Sequence, residues 1–234
     1  MKKTLVIDVG GSSIKFRLEG NAERFKENSG TKFTPEEMVE KILARIPKSD
    51  IARVSIGFPA PVEDNYILKD PKNLGKGWVG FDFKKAFGKE VRILNDAAMQ
   101  AVGSYEGGKM LFLGLGTGLG SAVIYSDHLV PLELCELRYD KDTTVEEAVS
   151  KATLKKIGEK KWRKQVMEVV DIFYRSFLPD YIVIGGGNAK KLEDFPDYIR
   201  LGDNSLALIG GERLWAPDFH ITLSPTRQHA GKSS

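Results

Sequence analysis

The 234-residue sequence has little of several features that would each indicate a special class of protein. Its one cysteine, Cys135, excludes an intrachain disulfide and a cysteine-cluster metal site, so we expect a reducing compartment and no zinc. Its histidines, His128, His220 and His229, lack the spacing of a metal site. Lys and Arg number 35 against 32 Asp and Glu, a balance unlike that of a dedicated nucleic-acid binder.

Long apolar runs are also absent. The apolar stretch after Lys2 and Lys3 ends at Ile7, which is too short for a signal peptide, so we expect no export signal. The longest uncharged run, 110–126, is shorter than the ~20 residues of a membrane helix and contains four glycines. With 41% hydrophobic residues the chain can still bury a core, so we expect a cytoplasmic globular protein with no membrane partner.

Three predicted strands end in glycine-rich turns, at 10–13, 114–120 and 185–187. The first two turns are each followed by a return strand, which indicates a structural duplication. Taken singly, each turn is better explained as a tight hairpin or a strand-to-helix connection than as a binding site. Their glycine spacing disfavours a Rossmann dinucleotide site. Together, however, they favour phosphate binding, because turns without Cβ atoms let backbone N–H groups approach phosphate oxygens.

Asn95 and Asp96 follow a fourth apolar stretch, 91–94. Asp96 has two explanations, because its carboxylate could simply cap a helix over 97–101 or could belong to an active site. Combined with the glycine turns, the second explanation predicts an α/β protein of two lobes. Each lobe would offer one phosphate-binding hairpin, and Asp96 would lie in the cleft between the lobes.

The helical patterns predict how the chain divides. We expect an N-terminal lobe over 1–96, a C-terminal lobe over 97–202, and a last helix over about 203–215 that packs back on the first lobe. Thr143 is the expected N-cap of one helix of the second lobe. Residues 217–234 are expected to form an irregular tail.

Seven motifs lie in order between residues 3 and 215: Asp8-Val-Gly-Gly11, Gly57-Phe-Pro59, Asn73-Leu through Trp78, Leu94-Asn-Asp96-Ala, Leu115-Gly-Thr-Gly-Leu-Gly120, Glu133-Leu and Ile184-Gly-Gly-Gly187. The ROK-type sugar kinases, especially the polyphosphate glucokinases among them, have these motifs in the same order. The sequence therefore resembles that family. The resemblance implies the two-lobed actin-like, hexokinase-like ATPase fold, which is ribonuclease H-like, with an active site in the interlobe cleft.

The resemblance also implies roles for single residues. Asp96 would be the catalytic base, Asn95 and Asp96 with Glu133 and Glu136 would bind the sugar, and Asp8 would hold Mg²⁺ through water. The residues expected around the phosphates and the nucleotide are Asp8, Gly10, Gly11, Ser12, Lys15, Gly116, Thr117, Gly118, Gly185, Gly186 and Gly187. Phosphoryl transfer to an alcohol needs a proton acceptor, a metal and oriented N–H donors, and these residue types can supply them.

Glu136 is the main departure from the family pattern. ROK kinases commonly carry Glu-x-Gly-His at the sugar site and often a zinc motif beyond it, whereas this sequence has Glu133-Leu-Cys135-Glu136. The polyphosphate glucokinases share the loss of zinc. An ionised Glu136 accepts hydrogen bonds but donates none, which leaves the identity of the sugar open. It also leaves a second hypothesis, a non-catalytic sugar-binding regulator of the same fold.

A basic stretch at 151–165 makes polyphosphate a possible phosphoryl donor beside ATP. It contains seven Lys and Arg residues and one acidic residue, Glu159. The stretch is explained either as a solvated helix face or as a track for polyphosphate. We therefore predict a cytoplasmic sugar kinase that transfers a phosphoryl group from ATP or polyphosphate to a hexose hydroxyl, with Mg²⁺ and without zinc. No nucleic-acid partner is expected, and a homodimer is left open.

Overall fold

The structure is a computed structural model that describes residues 2–203 and 205–223. The strands are β1 (Lys3–Val9), β2 (Ser13–Leu18), β3 (Phe25–Asn28), β4 (Ile51–Phe58), β5 (Val62–Glu63), β6 (Tyr66–Ile67), β7 (Val91–Asn95), β8 (Met110–Leu115), β9 (Leu119–Tyr125), β10 (His128–Leu132), β11 (Tyr181–Gly185), β12 (Ile199–Leu201) and β13 (Thr222–Leu223). The α-helices are α1 (Pro35–Arg45), α2 (Phe83–Phe87), α3 (Asp96–Ser104), α4 (Val145–Val149), α5 (Lys151–Ile157), α6 (Glu159–Phe177) and α7 (Leu206–Arg213).

Two mixed sheets have the same topology. The first sheet has the strand order β3-β2-β1-β4-β7, with antiparallel pairs up to β1 and parallel pairs from β1 to β7. The second sheet contains β10-β9-β8-β11-β12, with the same alternation of antiparallel and parallel pairs. The duplication predicted from the glycine-tipped hairpins is therefore present, and it places the two hairpins at equivalent positions in the two sheets.

Each sheet is covered by helices through buried apolar side chains. Met38 and Ile42 of α1 belong to the apolar cluster of the first sheet, and Trp162 and Val166 of α6 belong to that of the second. Thr34 caps α1 as its sequence predicts, because its side chain accepts a hydrogen bond from the backbone N–H three residues on. These amphipathic helices pack on the sheets and so fix the positions of the strands.

Helices α3 and α7 pack tightly against each other. They approach so closely because Gly103 and Gly210 lie at the contact. Helix α7 also contacts the first sheet, where the Ser55 hydroxyl donates to the Gly211 carbonyl over 2.7 Å and the Trp215 indole N–H donates to Ser55 Oγ over 2.8 Å. Since α3 also contacts β8 and β9, this helix pair connects the two sheets.

Two local expectations need correction. The cap of α4 is Thr144 rather than Thr143, because Thr144 and Glu147 exchange hydrogen bonds in a capping box. The segment expected to be an irregular tail contains the strand β13, which pairs with β10 of the second sheet. The rest of that segment, 224–234, lies outside the described residues.

Membrane insertion through a helix finds no support in the fold. Across residues 2–203 and 205–223, none of the helices combines the length and the apolar character needed to span a bilayer.

Candidate active site

Asp8 lies near the carboxyl end of β1, level with the ends of the neighbouring parallel strands. In the strand register Asp8 pairs with Gly57 of β4, and Gly57 pairs with Leu94 of β7. The Asp8 side chain is 17% exposed, and its Oδ2 is 3.1 Å from the Lys15 ammonium on β2. Lys15, expected to bind phosphate, is therefore held beside the carboxylate expected to hold the metal.

The first glycine turn is packed against two other loops. The Ser29 hydroxyl donates to the Gly10 carbonyl over 2.6 Å. A Cβ at Gly11 would lie 2.8 Å from the Asn73 side chain, so any larger residue there would displace the neighbouring loop. Ser12 is exposed at the tip. The backbone of the turn is thus held by the neighbouring loops, while its tip is open to solvent.

The second glycine turn has a carboxylate lying on it. The Gly116 N–H donates to the Gly118 carbonyl over 3.0 Å, and Thr117 is exposed at the tip. A Cβ at Gly118 would lie 1.9 Å from Oε1 of Glu146, so glycine is what allows Glu146 to lie here.

The third glycine motif is bonded to the second. Asn188 donates its side-chain amide to the Gly116 carbonyl over 2.9 Å. Gly186 has φ +84°, and a Cβ there would lie 2.4 Å from the backbone oxygen of Leu115. Gly185 ends β11 and Gly187 is exposed. The expected nucleotide residues of the second sheet therefore form one continuous backbone surface.

Asn95, and not Asp96, is the main N-cap of α3. Its side-chain oxygen accepts from the N–H groups of Ala97 and Ala98 at 2.9 and 3.3 Å, while its amide donates to the Ala60 carbonyl at 3.4 Å. This arrangement uses the Asn95 oxygen and leaves one amide hydrogen for a ligand. The capping explanation for Asp96 is correspondingly weakened, although Asp96 Oδ1 also accepts from Ala97 N–H at 2.7 Å.

Two other carboxylates lie near enough to Asp96 to act on its charge. Burial, together with the negative charges of Asp8 and Glu133, raises the pKa of Asp96 to about 7. The hydrogen bond from Ala97 N–H opposes this shift without cancelling it. Asp8 comes from the first sheet and Glu133 follows β10 of the second, so tertiary structure brings them to Asp96. A carboxyl with a pKa near 7 is suited to exchange protons at neutral pH.

Glu133 and Glu136 have different surroundings. Cys135 donates its thiol hydrogen to Glu133 Oε2 over 3.3 Å, and burial with this hydrogen bond raises the pKa of Cys135 to about 12. The thiol therefore remains protonated and holds the Glu133 carboxylate. Both glutamates are exposed, and the charge of Glu136 acts on Cys135, whereas only that of Glu133 is among the largest influences on the pKa of Asp96. Glu133 thus acts on Asp96 more strongly than Glu136 does.

The carboxylates of the candidate site suit a magnesium ion better than a metal that needs many protein ligands. Among the residues described, no cluster of three or more His, Cys, Asp or Glu side chains could hold a metal. Mg²⁺ keeps several waters and needs only one or two carboxylates. Asp8 fits, because its charge opposes ionisation of Asp96 and a divalent cation would relieve that repulsion. Asp8 would hold Mg²⁺, which when bound would neutralise phosphate charge.

Sequence reasoning missed four residues that position the site. Asn188 and Cys135 could have been suspected, because one follows the triple glycine directly and the other lies between the two glutamates. Ser29 and Glu146 carry no such signal, since each reaches its glycine turn from a distant part of the chain. Only the folded backbone brings these two side chains to the turns.

Comparison with known proteins identifies the class. Residues 4–131 match the ROK family. A polyphosphate glucokinase of Mycobacterium leprae (strain TN) is 30% identical over 209 residues, covering 80% of this chain. The match covers 64% of that relative, so the chain spans less than two thirds of the relative's length.

Two solved structures have the same fold. An inorganic polyphosphate/ATP-glucomannokinase from Arthrobacter sp. strain KM superposes with a TM-score of 0.73 at 23% identity, over 90% of this chain and 96% of that one. A ROK family glucokinase from Streptomyces griseus, in complex with glucose and AMPPNP, gives 0.70 at 18% identity, over 91% and 98%.

The duplicated sheets and the glycine-tipped hairpins define the two-lobed, actin-like ATPase fold, and the similarity to these structures confirms that prediction. The chain belongs to the ROK family, because the family match covers more than half of its length. The resemblance inferred from the seven motifs is therefore confirmed.

Proposed function

We propose that this protein is a sugar kinase that transfers a phosphoryl group from ATP or polyphosphate to a hydroxyl of a glucose-like hexose. The names of its relatives support this class of reaction, since they include a polyphosphate glucokinase and a ROK family glucokinase bound to glucose and an ATP analogue. Within this chain the proposal rests on one observation. Asp96, with a raised pKa, lies between carboxylates contributed by the two sheets.

The proposed chemistry assigns one task to each element. Asp96 accepts the proton of the sugar hydroxyl, whose oxygen attacks the terminal phosphorus while the bond from phosphorus to the donor oxygen breaks. The donor leaves with that electron pair. The Gly10 and Gly116 N–H groups bond within their own turns, so the remaining N–H groups at 10–12 and 116–118 face the phosphates, and those at 185–187 face the nucleotide. Asn95 and Glu133 bind the sugar, and residues 1–96 and 97–202 act as lobes that close over both substrates.

A coupled assay of purified protein tests the proposal directly. It measures phosphorylation of a panel of hexoses with ATP and, separately, with polyphosphate, each in the presence of Mg²⁺. We expect turnover of at least one hexose with at least one donor. No turnover with any combination, from protein whose fold is verified by circular dichroism, would refute the kinase assignment.

Glu136 supports a second candidate function, a sugar-binding regulator that does not transfer phosphate. In a kinase of this family a histidine commonly stands at this position, and the exposed Glu136 cannot replace its donated hydrogen bond when ionised. The same panel separates the two functions. Calorimetric binding of a hexose with no turnover from either donor would favour the regulator.

The raised pKa of Asp96 predicts how activity depends on pH. Because only the ionised carboxylate accepts a proton, we expect kcat/KM to fall as the pH is lowered through about 7. Glu133→Gln should move this acid limb to lower pH, because it removes a neighbouring charge that raises the pKa of Asp96 and that is not the expected Mg²⁺ ligand. The measurement is kcat/KM between pH 5 and 9 for each variant.

Glu136→Gln is the matched control for this profile. It removes one carboxylate from the same region, but the charge of Glu136 is not among the largest influences on the pKa of Asp96. We expect its acid limb to coincide with that of the wild type. A wild-type limb near pH 4, or one that Glu133→Gln leaves in place, would contradict the assigned role of Asp96.

The basic stretch 151–165 lies beside the glycine turns in the folded protein. The Lys151 N–H donates to the Thr117 carbonyl over 3.4 Å, and Lys191 forms an ion pair with Glu159 at 2.7 Å. The starts of α5 and α6 are therefore adjacent to the proposed phosphate surface. Arg163 forms ion pairs with Glu159 and Glu193, so its positive charge is compensated and adds little to the attraction of an anion.

Three exposed lysines of α6 could guide a long polyanion. Lys160 and Lys161 have no ion pair with any described residue, and Lys164 is 4.0 Å from Glu168. We expect the combined change of these three lysines to Gln to raise KM for long polyphosphate, more strongly at low salt, and to leave KM for ATP nearly unchanged. Steady-state kinetics with both donors at two ionic strengths provide the measurement.

The control is the same number of Lys→Gln changes on α2 and the loop after it, at Lys84, Lys85 and Lys89. It alters net charge equally but on the first sheet, away from α6. We expect it to leave both KM values unchanged. Equal effects of the two triple variants, or equal effects on the two donors, would support a merely solvated helix face.

A further inference from the structure

A second concave site lies on the face of the first sheet that α7 contacts. It is a cavity of about 650 Å³, within the size range of small-molecule sites. It is lined by Arg53 of β4 and Arg92 of β7 together with Trp215, Phe219 and His220. None of the residues assigned above to phosphate, metal or sugar lines this cavity.

The charges in this cavity are of one sign. In the described part of the chain no Asp or Glu lines it, and Met1, Asn204 and 224–234 include neither residue type. Burial, together with the positive charge of Arg53, lowers the pKa of Arg92. Two guanidinium groups thus repel each other here without a direct carboxylate partner, an arrangement that an anion would stabilise.

Both guanidinium groups are held in place but retain free donors. Arg92 donates to the Leu214 carbonyl and stacks on the Trp215 ring at 4.0 Å. Arg53 lies 5.3 Å from the same ring, and its Nε donates to the Thr4 hydroxyl over 3.0 Å. The Thr4 hydroxyl donates in turn to Glu19, so this carboxylate is linked to Arg53 indirectly, through the Thr4 side chain. Each arginine has five N–H donors, so most of them remain available.

We infer that Arg53 and Arg92, stacked on Trp215, form a binding site for a small phosphate-bearing anion, separate from the proposed active site. Tetrahedral phosphate oxygens match the paired donors of guanidinium groups. The cavity is larger than one phosphate needs, and Leu94 and Phe219 offer apolar surface to an organic remainder. Free phosphate and a phosphate monoester share the recognised group. The inference does not depend on the proposed kinase function.

Isothermal titration calorimetry on the full chain tests this site, with inorganic phosphate and glycerol 3-phosphate as probes at constant ionic strength. Glycerol 3-phosphate carries the phosphate without a sugar ring, and glycerol alone serves as the neutral control. We expect saturable binding of at least one phosphate probe. A preference for inorganic phosphate would identify the free ion as the ligand, and a preference for glycerol 3-phosphate would identify a monoester.

Arg53→Gln is the decisive variant, because the Arg92 side chain also supports the Leu214 carbonyl and its loss could unfold the segment. We expect Arg53→Gln to weaken binding about tenfold or more, as loss of charge-assisted hydrogen bonds does. Arg175→Gln, which removes the same charge from an exposed position of α6, and Lys15→Gln, which removes the cation expected to bind phosphate in the proposed active site, should leave the Kd unchanged. Tryptophan fluorescence provides a second readout, because Trp78 and Trp162 are fully buried and Trp215 contacts both arginines.

Three results would overturn the inference. The first is the absence of saturable binding of either probe to folded wild-type protein. The second is wild-type affinity in Arg53→Gln, which would place the anion elsewhere. The third is loss of binding in Lys15→Gln, which would place it in the proposed active site.

Discussion

Replacing Asp96 with asparagine is expected to lower kcat by a factor of about 10² to 10⁴ while hexose binding largely survives. Asparagine preserves the size of the side chain and can still accept from Ala97 N–H, but it cannot take the proton of the sugar hydroxyl. The measurement combines steady-state kinetics with calorimetric binding of the hexose identified in the panel assay. Turnover at the wild-type rate would remove Asp96 from the role of base.

Thermal unfolding distinguishes the catalytic role of Asp96 from a capping role. A carboxyl whose pKa is raised on folding contributes stability below its unfolded pKa, and that stability is lost as the pH rises through about 7. We therefore expect Asp96→Asn to gain in Tm relative to wild type between about pH 4 and 7. Asp82→Asn is the control, because Asp82 caps α2 through the Lys85 N–H at 2.8 Å and should leave kcat unchanged.

Gly210→Ala is expected to destabilise the protein by about 3 kcal/mol or more, although alanine favours helices by up to about 1 kcal/mol over glycine. A Cβ at Gly210 would lie 1.9 Å from the Met99 carbonyl oxygen of α3, and one at Gly103 would lie 2.0 Å from the Leu206 carbonyl oxygen of α7. Both obstacles are backbone, so the helices themselves must move apart. Calorimetry should show a Tm lower by about 6 to 12 °C for a chain of this size.

Gly187→Ala is the matched control for stability. Gly187 is exposed, its φ is not positive, and an added Cβ would have no atom within 4 Å. We expect its Tm to stay within about 2 °C of wild type. An unchanged or higher Tm for Gly210→Ala would show that the two helices can separate without cost, against the packing described for α3 and α7.

The fold could be predicted from sequence where each signal is local. The apolar strand, glycine turn and return strand at 5–18 and again at 110–125 depend on neighbouring residues only, and both hairpins form as expected. The Thr34 cap and the apolar spacing of α1 are equally local. By contrast, nothing near 222–223 indicates a strand, because β13 exists only through its pairing with β10.

In the candidate site, too, the local features could be predicted from sequence and the long-range contacts could not. The motifs predicted that Asp8, Asp96 and the glycine turns lie at strand ends, because residue type and strand period identify such positions. They did not predict that Asn95 would take the main capping role or that Glu133 would act on Asp96 more strongly than Glu136. Those outcomes depend on rotamers and on contacts between segments far apart in the chain.

The sequence by itself determined the glycine-tipped hairpins, the amphipathic helices and the chemistry-bearing strand ends, because periodicity and turn residues act over a few neighbouring positions. Only the tertiary structure decided which of those ends meet. It placed carboxylates from both sheets around Asp96, where burial and mutual repulsion raise a pKa that no isolated segment would shift. It also gathered Arg53, Arg92 and Trp215 from three separate elements into one positively charged cavity, since long-range packing alone sets such distances.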